Sequence, residues 1–96
     1  MARTRDLRSI LEAEAFVNQL ASREHERWAH WQQYVHDQCT PGPDGSLTIP
    51  AELVARWTAQ IRTPYEELSA AEQESDREQV RRYLPLIIEA LERGGT

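Results

Sequence analysis

No glycine and no proline occurs between Ala2 and Thr40. Those two residue types are the strongest local interrupters of helices and strands. A stretch this long without either can hold one long regular element. Its apolar residues decide which: Leu7, Ile10, Leu11, Val17, Leu20, Ala21, Trp28, Trp31 and Val35 follow one another mostly in steps of three, four and seven. That is the helix period. The pattern predicts a helix from about Thr4 to Gln38, with a bend near Asn18 to Ser22. Thr4 or Asp6 is the candidate cap. Glu14 and Glu24 fall on the apolar stripe and would need partners if buried.

After this helix comes the clearest loop, Thr40 to Ser46, with two prolines, two glycines and an Asp-Gly pair. It is expected to be exposed and mobile. Leu47 to Ile49 lead into a second helix with Pro50 near its first position. Its expected apolar face is Leu53, Val54, Trp57 and Ile61, and Pro64 ends it. Thr63 to Leu68 reads as a turn or a single helical turn. Ser69-Ala70-Ala71-Glu72 has the form of a capping box and opens the last helix. Val80, Tyr83, Leu84, Ile87, Ile88 and Leu91 form that helix's stripe. Pro85 inside it removes one backbone bond to Arg81 and is expected to kink it. Gly94-Gly95 stops it. No segment alternates with period two long enough to make a strand. The expected fold is all-α, a single domain over residues 1–96, with three main helices and a short connecting turn.

Composition narrows the function. The chain has 96 residues, 40% hydrophobic and 28% charged, with a formal charge of −5. Acidic and basic residues are interspersed, and no basic cluster is long enough to hold a nucleic-acid polymer by charge. No apolar run approaches the roughly 18 residues of a membrane span. A charged start without an apolar signal core is read as cytoplasmic. One cysteine, Cys39, cannot form an intramolecular disulfide. With His36 as its only nearby base, it makes a poor nucleophile.

His25-Glu26 resembles the start of a zinc-protease helix. The position four after His25 is Ala29, however, and His30 falls one step too far to share the face. No metal site and no cofactor is expected. No pair of acid and base residues stands out, so no catalytic residue is assigned. An enzyme acting on nucleotides would have to use carboxylates such as Glu26 or Asp76.

The densest chemistry lies between Arg23 and Tyr34. Trp28 and Trp31 are three apart and share a helical face, and Tyr34 extends it. Arg23 and Arg27 occupy a neighbouring face, with His25 between them in sequence. Arg77 and Arg81 repeat that spacing on the last helix, and Arg62 closes the second. All eleven basic residues are arginine, whose planar fork suits phosphate and carboxylate. Aromatic planes beside arginines suit a nucleotide-like ligand. The alternative is that Trp28 and Trp31 pack between helices while the arginines pair with Glu24, Glu74 and Glu78. The same residue types also favour a protein interface, so a small adaptor is the competing function.

His25-Glu26-Arg27-Trp28, followed by Pro64-Tyr65-Glu66-Glu67-Leu68-Ser69 and then by Glu72 and Asp76-Arg77, resembles the ryanodine-receptor-type (RyR) domain. The similarity spans roughly Leu20 to Leu84. The family's Gly-Trp-x-Tyr-Gly segment is echoed only by Trp31 and Tyr34, and its His-Pro pair is here Thr63-Pro64. The resemblance implies a compact helical domain without catalytic activity that binds an adenine nucleotide between paired copies. It makes Trp28 the stacking residue and Tyr65 a second aromatic contact. In bacteria and phages such domains stand alone or beside nucleotide-signalling modules. This implies binding, and sequestration, of a messenger such as a cyclic dinucleotide or an ADP-ribose derivative by a homodimer. The candidate ligand-binding residues are thus Arg23, His25, Arg27, Trp28, Trp31, Tyr34, Arg62, Tyr65, Arg77 and Arg81.

Overall fold

The computed structural model describes residues 4–94. The chain is all-α apart from one minimal hairpin. Helix α1 spans Thr4–Glu12, α2 Glu14–Gln38, α3 Ala51–Arg62 and α4 Ala70–Gly94. The four fall into two compact units. Unit 1 is Met1–Arg27 with Asp76–Thr96, and unit 2 is Trp28–Ser75. Helices α2 and α4 each contribute one part to each unit. No helix among the described residues is long and apolar enough to cross a membrane.

In unit 1, α1 and α2 correct the expectation of one helix bent near Asn18 to Ser22. The interruption is at Ala13, whose N–H reaches the Ile10 carbonyl at 3.4 Å. No glycine or proline marks it, and packing explains it. Ile10 lies against Gly94 at the end of α4, where an added Cβ would collide with the Ile10 side chain. Phe16, six residues later, is buried at 6% exposure. A break at Ala13 allows both side chains to reach the interior. Asp6 lies in the first turn of α1 rather than before it. The Thr4 side chain lies outside the described part, as does Gly95.

Ile10 meets Gly94, and Glu24 meets Tyr83. The first contact ties α1 to the end of α4, and the second ties α2 to its middle. Phe16 and Ala90 are the buried residues among those described. Neither belongs to the stripes read from the sequence. Of the predicted α4 stripe, Tyr83, Ile87 and Leu91 are half-buried, whereas Val80, Leu84 and Ile88 are exposed. Glu14 is exposed and needs no burial partner. Helix α4 continues through Pro85, where the Arg81 carbonyl loses one helical donor.

Unit 2 begins with the second part of α2. The expected mobile loop is a closed turn. Thr40–Pro41 (β1) pairs antiparallel with Leu47–Thr48 (β2), with Thr40 opposite Thr48. These two-residue strands are too short for any alternation to show in sequence. Gly42 N–H bonds the Ser46 carbonyl at 2.7 Å, and Asp44 accepts from Ser46 N–H at 3.0 Å. Gly45 takes a φ of 87°, a conformation suited to glycine.

Pro50 precedes α3, and its carbonyl accepts from Leu53 and Val54. Leu53 and Trp57 are half-buried, but Val54 and Ile61 of the expected apolar face are exposed, Ile61 at 83%. The inward position near Ile61 is taken by Gln60, whose amide donates to Glu72. Thr63 turns extended ahead of Pro64 and ends α3. Tyr65–Glu67 forms a single 3-10 turn. The capping box is present: Glu72 N–H bonds Ser69 Oγ at 3.2 Å, and Ser69 N–H bonds the Glu72 carboxylate at 3.1 Å.

Candidate functional site

The aromatic side chains of α2 point away from any closed core. Trp28 is 53% exposed, Trp31 44% and Tyr34 39%. Steps of three along one helix bring such side chains onto one face. Trp31 and Tyr34 stack with ring centroids 5.3 Å apart and planes 26° off parallel. Trp31 also meets Trp57 of α3 edge-on, at 5.7 Å and 61°. Each such pair is worth about 0.5–1.5 kcal/mol beyond area burial. Trp31 is therefore the hub of an aromatic cluster that fastens α3 to α2 within unit 2 and still presents a large part of its surface to solvent. Trp57 was missed as a site residue in the sequence. Its place on the α3 stripe marked it only as packing, although it is the chain's third tryptophan.

The ten predicted site residues divide evenly. Trp28, Trp31, Tyr34, Arg62 and Tyr65 belong to unit 2. Arg62 is exposed in the last turn of α3, and Tyr65 is 45% exposed in the 3-10 turn. Arg23, His25, Arg27, Arg77 and Arg81 belong to unit 1. His25 and Arg81 are exposed, while Arg23, Arg27 and Arg77 are half-buried.

Arg23 and Arg27 hold carboxylates on their own helix. Arg23 bridges to Glu26 at 3.3 Å. Arg27 grips Glu24 with both arms of its fork, Nε lying 3.1 Å from Oε2. Tyr83 donates its hydroxyl to the same carboxylate. The Arg27 guanidinium first, and Tyr83 second, hold the Glu24 carboxyl down at about 2. Arg27 is pushed up in return, chiefly by Glu24, and the carboxylate raises Tyr83 above the usual phenol range. Tyr83 was missed as a partner. Glu24 on the apolar stripe pointed to a partner, which it has although it is itself exposed.

Unit 2 also has an open groove of about 510 Å³ between α3, the 3-10 turn and the start of α4. Arg56, Gln60, Thr63, Glu67, Ser69 and Glu72 contribute its polar lining. None of the ten predicted residues lines it. A helix N-terminus ordinarily favours an anion, but here Glu72 already fills that role. Its carboxyl is held below the usual range by Gln60 first and Ser69 second. Glu67 and Glu72 outnumber Arg56, so the groove is poorly suited to phosphate.

The charge distribution is the decisive electrostatic fact. Unit 2 holds seven acidic side chains and two arginines, Arg56 and Arg62. Unit 1 holds nine of each. The whole formal charge of −5 therefore lies in the unit that carries the aromatic cluster. Among the described residues, no group of three or more His, Cys, Asp or Glu could hold a metal ion.

The chain matches no known family, no curated protein and no solved structure.

Proposed function

We propose that this chain is a non-enzymatic recognition domain, an adaptor whose acidic unit 2 binds an arginine- or lysine-rich segment of a partner protein around Trp31. The observation that carries this reading is the coincidence, in one unit, of an exposed tryptophan hub with the chain's whole net negative charge. A guanidinium or ammonium over an indole face gains about 0.5–1 kcal/mol at an exposed site, and more when water is excluded. The net negative charge of unit 2 adds attraction and steers the encounter. An anionic ligand on the same rings would meet that field with the opposite sign.

A second reading follows from the same exposed rings together with the RyR-like motifs. Here the domain stacks the base of a cyclic dinucleotide or an ADP-ribose derivative on an indole and sequesters it. Stacking on an aromatic side chain contributes about 1–3 kcal/mol per base, and this reading assigns it to Trp28. Phosphate binding would then fall to arginines such as Arg62. In this second reading the domain pairs as a homodimer.

The test is a fluorescence titration with an oligo-arginine peptide and, separately, with cyclic dinucleotides and ADP-ribose. The adaptor reading expects quenching by the peptide, weakened about tenfold or more in a folded Trp31→Ala protein whose charge is unchanged. Peptide binding indifferent to Trp31 would reduce it to bulk charge and reject the site. Nucleotide binding lost in Trp28→Ala would establish the second reading instead.

A further inference from the structure

The groove of unit 2 is held open by its own hydrogen bonds. Glu72 ties its walls together, accepting from the Gln60 amide on α3 and from Ser69 N–H at the start of α4. Gln73 donates its amide to the Tyr65 carbonyl at 2.9 Å and fixes the 3-10 turn that joins those helices. Walls fixed in this way lose little freedom when a ligand enters. The volume of about 510 Å³ falls within the range of about 300–1,000 Å³ usual for small-ligand sites. The charges along it are uneven. The Arg56 charge bears on Glu72, and the two offset each other. Glu67 lines the same groove with an exposed side chain, and among the described residues none is hydrogen-bonded or ion-paired to that side chain. Its carboxylate is the uncompensated charge of the groove.

The groove adjoins the aromatic cluster along α3. Trp57 meets Trp31 with ring centroids 5.7 Å apart, and Gln60 lines the groove. Trp57 and Gln60 are three apart on one helix, so their Cβ atoms lie about 5–6 Å from each other. From the Trp31 ring to the groove is therefore a span on the order of 10 Å, which an extended segment crosses in about three residues at roughly 3.3 Å each.

We propose that the groove seats a second basic side chain of the partner segment, about three or four positions from the one over Trp31, with its cation on Glu67. This rests on the recognition reading of unit 2 and gives the partner a spacing. Charge selects the occupant, because an acidic side chain would meet Glu67 with like sign. Chemistry favours arginine over lysine. Its planar fork has five N–H donors, enough for Glu67 and for the acceptor sites that Glu72 still has. The open side of the groove leaves room for the flanking backbone.

The experiment is isothermal titration calorimetry of the full chain with peptides that carry two arginines separated by one to six serines. Matched peptides have glutamine in place of the second arginine. In the wild type the second arginine is expected to tighten binding about tenfold or more, because its contact becomes intramolecular. The gain should peak at two or three intervening serines. Glu67→Gln should lose that gain and weaken the single-arginine peptides no more than Glu52→Gln does. Glu52→Gln removes the same charge from an exposed residue of unit 2 outside the groove and should keep the gain. Far-UV circular dichroism checks that both variants stay helical. A carbon-detected spectrum of the wild type needs no variant: the Glu67 carboxyl resonance should shift saturably as the two-arginine peptide is added. Equal gains in the two variants, a gain indifferent to spacing, or an unmoved Glu67 resonance overturns the inference and leaves the Trp31 reading in place. No binding by any of these peptides or by oligo-arginine overturns the recognition reading itself, and this inference with it.

Discussion

The Tyr83 hydroxyl donates to the Glu24 carboxylate across 59 positions of sequence. It joins α4 to α2 in unit 1 and shares its acceptor with Arg27. The sequence placed Glu24 on an apolar stripe, and this bond, with the Arg27 fork, shows how the charge is satisfied there. Glu24 ionises at about 2 in the folded protein instead of 4.5. A carboxyl depressed by folding stabilises the native state fully above its unfolded pKa. That contribution fades as pH falls from 4.5 toward 2. The urea midpoint of the wild type should exceed that of Glu24→Gln at neutral pH, and the gap should close across this window. A gap that stays constant down to pH 2 would contradict the role given to ionised Glu24.

Tyr83→Phe removes the lesser of the two bonds holding Glu24 down. The Glu24 carboxyl, followed by carbon-detected NMR titration, should then titrate higher than in the wild type yet below 4.5. The reason is that Arg27, the larger cause, remains. An unmoved titration would mean that the hydroxyl does not contact the carboxylate in solution.

The capping box gives a separate prediction. Ser69→Ala strips the first turn of α4 of one partner and should cost about 1 kcal/mol. For a domain of this size that is a fall in Tm of about 4–8 °C. Ser69→Asp should restore most of it, since Asp caps as well as Ser. Equal melting of wild type and Ser69→Ala would show that the α4 N-terminus draws no stability from its cap.

Among the described residues of unit 1, Phe16 is the large buried side chain. Phe16→Ala should cost about 3–5 kcal/mol, a large share of the total of about 5–15 kcal/mol for an ordinary domain. Ile61→Ala, at a residue 83% exposed, should stay within about 0.5 kcal/mol of wild type. Denaturant melts of the two variants side by side check the contrast. Similar losses in both would mean that the burial assigned to Phe16 is wrong.

Local chemistry was legible in the sequence where a residue acts on its own neighbours. Pro64 ends α3 and Ser69 caps α4 because both effects are settled within four residues. Periodicity located the helices but not their inward faces. It chose Val17 and Leu84 alongside Leu20 and Tyr83, because in a sparsely buried chain apolar residues line two faces of a helix. Phe16 and Ala90 were overlooked for the same reason. The break at Ala13 was invisible because it follows from packing of Ile10 and Phe16 rather than from a helix-breaking residue. Trp28, Trp31 and Tyr34 were recognised as one helical face. The addition of Trp57 depended on α3 folding back on α2, which no local pattern encodes. Charge segregation into one unit was equally hidden, because each unit is assembled from parts of α2 and α4.

Trp31 is proposed to sit in a surface that receives cations. The most direct measurement follows the indole N–H resonances of Trp28, Trp31 and Trp57 in a proton–nitrogen spectrum. Oligo-arginine peptide is added to one sample and a cyclic dinucleotide to another. The peptide is expected to shift the Trp31 resonance in a saturable way, while the dinucleotide leaves all three in place. A spectrum in which the dinucleotide moves the tryptophan signals and the peptide does not would contradict it.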